Sequence, residues 1–219
     1  AHGLPMIGQA FAAMALSGPV VLADYGCAQG GNSLRPIATA LDCAREAVGP
    51  EPAITVVHVD QPANDFAALF TLLRDDEASY LRADANVFAS AVGRSFFGPV
   101  LPAETVDFGW CSFAAHWLSA APVARAGHVW PHLTAPAIHE RFAAQAAADW
   151  RSFLAARARE IKAGGGLVVV QPGLGEGVAS TFPVMMGWTQ EVLAAMEGDG
   201  FLRPAERARM TILVHERRA

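Results

Sequence analysis

The sequence has a single lysine, Lys162, and only three cysteines in 219 residues. Cys27, Cys43 and Cys111 form no CxxC pair and are odd in number, so neither a disulfide framework nor a cysteine-held structural zinc is expected. That usage fits a reducing, cytoplasmic compartment. Basic residues are few: 16 stand against 21 acidic, a formal net charge of -5. A chain without a basic face is not built to hold nucleic acid. No apolar run reaches 18 residues, and the apolar stretch 11–23 is broken by Ser17, Gly18 and Pro19 with no Lys or Arg before it. Neither a membrane span nor a signal peptide is expected. The chain begins at Ala1 rather than methionine, which points to residues upstream. Internal repeats and low-complexity linkers are also lacking. Apolar residues are plentiful: 53% hydrophobic against 17% charged, with a mean hydropathy of +0.26, excludes disorder and supplies one sizeable core.

Turn signals separate alternating strand and helix patterns along the whole chain, the signature of an α/β protein. Residues 20–24 (VVLAD) form a short apolar strand ending in an acid. Gly26, Gly30 and Gly31 follow, and Ser33 is placed to cap a helix reaching about Val48. Residues 54–59 (ITVVHV) are a second buried strand ending at Asp60, and Phe66, Leu69, Phe70 and Leu73 give helical spacing over 64–73. Weaker strand patterns cover 86–92 and 106–113. Pro136 opens a long amphipathic helix to about Lys162, which the glycine triplet 164–166 is expected to stop before a strand at 167–171 (LVVVQ). A last helix is expected over 183–196, with Met185 and Met186 on its core face. Near-continuous apolar strands between helices imply a mainly parallel sheet with helices on both faces. Such sheets bind ligands just past the carboxyl ends of their strands.

After the first strand the sequence reads Asp24, Tyr25, Gly26, Cys27, Ala28, Gln29, Gly30, Gly31, Asn32. Glycines let the backbone pass close under a ligand, and the following helix offers unpaired N–H groups. The spacing is GxxxGG rather than the GxGxxG that seats a dinucleotide pyrophosphate, which disfavours an NAD-dependent oxidoreductase. Asp60, after the second strand, stands where an acid accepts hydrogen bonds from two ribose hydroxyls; the alternative is a helix cap or a surface carboxylate. The two features together point to an adenosyl ligand. His128, His132 and His139 are close in sequence, but the segment has no cysteine and Pro131 and Pro136 break it, so no metal is expected there.

The succession ADYGCAQGGNS, HVDQPANDF, VGRSFFGPVLP, CSFAAHWLS, TAPAIHERF and GGGLVVV resembles the SABATH family of S-adenosylmethionine-dependent carboxyl methyltransferases in order and spacing over nearly the whole chain. The resemblance implies a Rossmann-like class I methyltransferase core over residues 1–219, using S-adenosylmethionine and releasing S-adenosylhomocysteine. It implies that Asp24, Gly26 and Asn32 contact the methionine part of the cofactor, and that Asp60 holds the ribose with Gln61 beside it. Ser95 and Phe96 would flank the adenine, the serine by a polar contact and the phenylalanine by packing. Phe113, His116 and Trp117 would face the acceptor, with the Trp117 indole N–H donating to its carboxylate. Each aromatic also has a plainer reading: Phe96 and Phe97 as core, Trp117 as a buried structural tryptophan, His116 as a satisfied core histidine.

A carboxylate acceptor is already ionised at neutral pH, so in-line methyl transfer to it needs no general base. Positioning and exclusion of water would supply the catalysis, with Trp117 and His116 orienting the acid. For a phenol or ring N–H acceptor, His116 is the titratable candidate. The sequence departs from the family in lacking an N-terminal glutamine for the acceptor, a role Gln9 does not fit, and in placing Phe97 where a tyrosine often follows the Ser-Phe pair. The family's helical cap is expected after residue 219, outside this chain. The expected activity is methyl-ester formation on a small aromatic acid, and family members are often homodimers. The alternatives are a cofactor-binding core without turnover, or an N- or O-methyltransferase on a non-carboxylate small molecule.

Overall fold

The computed structural model describes residues 3–123, 128–174, 182–213 and 217–218. Five strands, β1 (Val20–Tyr25), β2 (Ile54–Asp60), β3 (Val87–Gly93), β4 (Val106–Ser112) and β5 (Ile161–Val170), form one sheet in the order β3-β2-β1-β4-β5. Every pairing in it is parallel. The helices are α1 (Leu4–Ala12), α2 (Leu34–Val48), α3 (Phe66–Asp75), α4 (Pro136–Glu160), α5 (Phe182–Gly198) and α6 (Pro204–Arg207). The order reverses beside β1, so the loops after β1 and β4 part company there and leave a crevice at the carboxyl ends of both strands.

Alternation along the strands sends side chains to two covered faces. Val20 and Leu22 of β1 join a core with Ile7 and Phe11 of α1, Ile37 of α2 and Leu69 of α3. Tyr25 points the other way and meets Phe153 of α4 edge-on, with ring centroids 6.3 Å apart. Helices therefore cover both faces, as expected, and a continuous apolar strand such as ITVVHV is what such a sheet requires.

Ser33 precedes α2 but makes no side-chain cap hydrogen bond, and two larger differences from the sequence reading concern the sheet and the helix that covers it. The glycine triplet does not separate α4 from the next strand: α4 ends at Glu160, β5 starts at Ile161, and the triplet lies inside β5. The register explains this, since Val106 pairs with Ile161 but Phe108 pairs with Gly166, so residues 162–165 bulge opposite Asp107. A Cβ on Gly165 would stand 2.6 Å from the Asp107 carbonyl oxygen, which leaves glycine as the residue that fits. Lys162 closes the bulge: its Nζ donates to both Asp107 carboxylate oxygens at 2.9 Å, and Asp107 Oδ2 also accepts the Val21 N–H at 2.8 Å. The second difference is α1, which has no side-chain N-cap and only a proline in its first turn to announce it. Burial of Ile7 and Phe11, with Phe11 packed 4.8 Å from the Phe108 ring, forms it instead.

The chain divides into two compact units, residues 1–115 with 152–171 and residues 116–151 with 172–219. The first contains the five-stranded sheet. In the second, Leu118, Phe142 and Ala146 make one small apolar cluster and Trp130 with Met186 another. Met185 is exposed, so of the expected pair only Met186 faces a core. Asp149 of α4 accepts both the backbone N–H and the hydroxyl of Ser119, at 2.9 and 2.6 Å, which ties the HWLS segment to the helix. Among the described residues, no helix is long and apolar enough to cross a membrane.

Burial makes alkaline pH destabilising. The Cys111 thiol, wholly enclosed, is pushed up from about 9 to about 12 by loss of water. Above pH 9 the unfolded thiol loses its proton while the folded one keeps it, so stability falls as pH rises from about 9 towards 12. The expected loss is about 1.4 kcal/mol by pH 10. Urea unfolding of the wild type and Cys111→Ala at pH 8 and pH 10 checks it; the variant should lack that part of the decline.

Candidate functional site

A cleft of about 300 Å³ opens past β1 and β4, lined by Asp24, Gly26, Ala28, Asn32, Trp110 and Phe113 among others. Gly26 turns the chain at φ +87°, and a Cβ there would collide with the Ala114 methyl, so the turn tolerates no side chain. Its N–H donates to the Val59 carbonyl at 2.7 Å, which anchors the loop to β2. Two non-glycine residues on the lining, Ala28 (φ +46°) and Phe113 (φ +52°), hold left-handed backbone, a conformation kept only where the surroundings enforce it.

Asp60 does the enforcing at Ala28. Its Oδ2 accepts the Ala28 N–H and its Oδ1 accepts the Gln61 N–H, both at 2.7 Å. Asn64 completes the clamp by donating from Nδ2 to the Ala28 carbonyl at 2.8 Å. Asp65 then caps α3 by accepting the Ala68 N–H, so the NDF run both starts a helix and grips the glycine loop. Asp60 is thus neither a helix cap nor a free surface carboxylate. Half-buried, with lone pairs beyond the two it uses, it keeps acceptor capacity for a diol.

Asp24 is 2% exposed, and among the described residues its carboxylate has one hydrogen-bond partner, His58. Asp24, Cys27 and His58 offer ligand-type atoms within 4.8 Å of one another. Each is engaged within the protein. Both His58 ring nitrogens are hydrogen-bonded, and Cys27 Sγ contacts the Ala28 carbonyl at 3.4 Å. Burial, then the charges of Asp24 and Asp60, push the Cys27 thiol far up, so it stays protonated. His128 accepts the Trp130 N–H at 2.9 Å, while the side chain of His132 lies outside the described residues.

The structure brings Asp24, Gly26, Asn32 and Phe113 to one cleft and joins Asp60 to it through Ala28, with the Gln61 N–H held by Asp60. Ser95 and Phe96 follow β3 and are not among the cleft's lining residues. The Phe96 ring is buried between Phe97 and Phe153, at 4.9 and 5.7 Å, and its edge lies 3.5 Å from where a Gly26 Cβ would be. Its packing is that of a core residue. Phe113 is 60% exposed, and Trp117 at 50% is no buried structural tryptophan. His116 is half-buried, its ring 5.7 Å from that of Trp117. Asn64 braces the cleft's loop as well, a contact that the NDF run does not announce because Ala28 lies 36 residues away.

A family model described as SAM dependent carboxyl methyltransferase matches residues 5–212. The chain belongs to that family. Loganic acid O-methyltransferase of Catharanthus roseus is 31% identical over 173 residues, 73% of this chain and 44% of that protein. Indole-3-acetate O-methyltransferase 1 of Arabidopsis thaliana is 32% identical over 175 residues, 69% of this chain and 45% of that protein. A solved loganic acid methyltransferase with SAH shares the fold, with a TM-score of 0.82 at 22% identity, over 98% of this chain and 66% of that one. The chain spans about half the length of the curated relatives it matches. In carboxyl methyltransferase terms, the described cleft belongs to the unit that carries the five-stranded sheet.

Proposed function

We propose that this chain, as a member of the carboxyl methyltransferase family, binds S-adenosylmethionine in the cleft past β1 and β4 and methylates the carboxylate of a small aromatic acid. The observation that carries the reading is the paired acids on adjacent strands: Asp24 lining the cleft, and Asp60 bracing its glycine loop while keeping acceptor capacity. A buried carboxylate facing a cleft suits a cationic amino-acid group, and a second one at the end of β2 suits a ribose. When bound, the cofactor supplies an electrophilic sulfonium methyl. Asp24, Gly26 and Asn32 would hold its methionine end, Asp60 with Gln61 its ribose, and Ser95 its adenine.

The acceptor oxygen would form the new C–O bond as the S–CH3 bond breaks, giving a methyl ester and S-adenosylhomocysteine with no proton to move. Relatives named for indole-3-acetate and loganic acid support a carboxylic acid, and the exposed ring of Phe113 beside the cleft supports an aromatic one. Trp117 would donate its indole N–H to the acceptor, with His116 helping to orient it. Trp117→Ala should lower turnover at least tenfold, the loss of one hydrogen bond to a charged group, and leave S-adenosylhomocysteine affinity within twofold. Initial rates with a panel of carboxylic acids, beside calorimetric titration of the product, test this. Methyl-ester formation supports the reading; cofactor binding with no turnover on any acid would reduce the chain to a binding core.

A further inference from the structure

Asp24, buried at the edge of the cleft, is one end of a hydrogen-bonded chain that runs away from the ligand. In the β1–β2 register it pairs with His58. His58 is fully buried, and its Nδ1 lies 2.9 Å from Asp24 Oδ2. On the far side, His58 Nε2 lies 2.7 Å from the hydroxyl of Tyr80, in the 3-10 turn Tyr80–Arg82, with the two rings stacked at 6.1 Å. Tyr80 is also buried.

The direction of each bond follows from what each group can do. An ionised carboxylate only accepts, so the Asp24 contact requires a proton on Nδ1. The Tyr80 hydroxyl is enclosed, and burial pushes its ionisation far up, so it keeps its proton. That proton has no other acceptor among the described residues. A buried O–H left without an acceptor is costly, so it is given to Nε2, and Nε2 cannot carry a proton of its own. The imidazole is therefore the neutral Nδ1–H tautomer, the less common one in free histidine. The arrangement is a second partner fixing a ring so that the ring can fix a charged group.

We propose that His58, locked by Tyr80, is a positioning residue for cofactor binding: it orients the Asp24 carboxylate at the cleft and leaves its negative charge uncancelled for the ammonium group of the ligand's amino-acid part. This rests on the cofactor reading above. An imidazolium in the same place would neutralise Asp24 and weaken its hold on a cation. A hydrophobic residue there would leave a buried carboxylate with no donor and no fixed direction.

Titrations of the full chain with S-adenosylhomocysteine and with 5′-methylthioadenosine test it, because the second ligand keeps the nucleoside and thioether but has no ammonium. His58→Leu should weaken the first ligand tenfold or more and leave the second within about twofold, whereas a merely structural defect would weaken both alike. His58→Asn, which restores a donor near the Nδ1 position, should recover most of the loss. Nitrogen-15 NMR of the imidazoles supplies a readout independent of ligand: one buried histidine in the Nδ1–H tautomer, lost in Tyr80→Phe. Equal weakening of both ligands, or an Nε2–H tautomer for His58, overturns the proposal. Failure of the wild type to bind S-adenosylhomocysteine overturns the cofactor reading instead, whatever the tautomer.

Discussion

Asp60→Ala should lower affinity for S-adenosylhomocysteine by 100-fold or more. Two losses combine. The charge-assisted hydrogen bonds proposed to the ribose hydroxyls are each worth about 1.5–3 kcal/mol, so two of them account for a factor of that size. The same substitution removes the acceptor for the Ala28 and Gln61 N–H groups, and Ala28 holds a left-handed backbone that nothing intrinsic to alanine favours. Without its clamp the glycine loop relaxes and the cleft loses its shape. Asp60→Asn separates the parts: one amide oxygen can still accept a backbone N–H, so this variant should keep more of the loop and still lose most of the binding. Calorimetric titration reads both variants, and unchanged affinity in Asp60→Ala would remove the ribose assignment.

Arg157→Met should destabilise the fold by about 3–5 kcal/mol, because it leaves Glu160 charged, enclosed and short of its partner. Glu160 is fully buried and accepts from Arg157 Nε and Nη2 at 3.0 and 2.9 Å, from the Val100 N–H at 2.6 Å and from the Tyr25 hydroxyl at 3.0 Å. Arg157 in turn donates to the carbonyls of Phe96 and Gly98 at 2.8 and 3.1 Å, and its guanidinium lies 4.1 Å over the Tyr25 ring. One side chain thus fixes the segment that carries Ser95 and Phe96 to the last turn of α4. Lysine cannot reproduce the planar fork, so Arg157→Lys should rescue little. The double variant Arg157→Met with Glu160→Gln should recover part of the loss by removing the stranded charge. Urea unfolding measures all three, and a loss below about 1 kcal/mol in Arg157→Met would contradict the cluster's role.

The strands and the helices α2 and α3 were legible because their signals are local: an apolar run of four to six residues, then glycine or an acid, then a 3.6-residue period. The glycine loop, Asp24 and Asp60 were legible for the same reason, being residues of the right type at strand ends. What escaped the sequence depends on partners far along the chain. The triplet 164–166 looks like a helix stop, yet it serves a bulge that exists because β5 pairs with β4 in a shifted register. Lys162 carries no local signal of its role, because its partner Asp107 lies 55 residues away in the chain. His58 read as one more position in an apolar strand; its chemistry comes from Asp24 and Tyr80, which only the fold brings to it. Phe96 was expected at an adenine, and its ring is found packed against Phe153.

The most direct test of cofactor binding is calorimetric titration of the chain with S-adenosylhomocysteine, using NAD as the control. Micromolar binding of the former and none of the latter is the expected result, given a cleft lined by Asp24 and a GxxxGG loop braced by Asp60. No binding of S-adenosylhomocysteine, or equal binding of NAD, would contradict it and return Asp24 and Asp60 to purely structural roles.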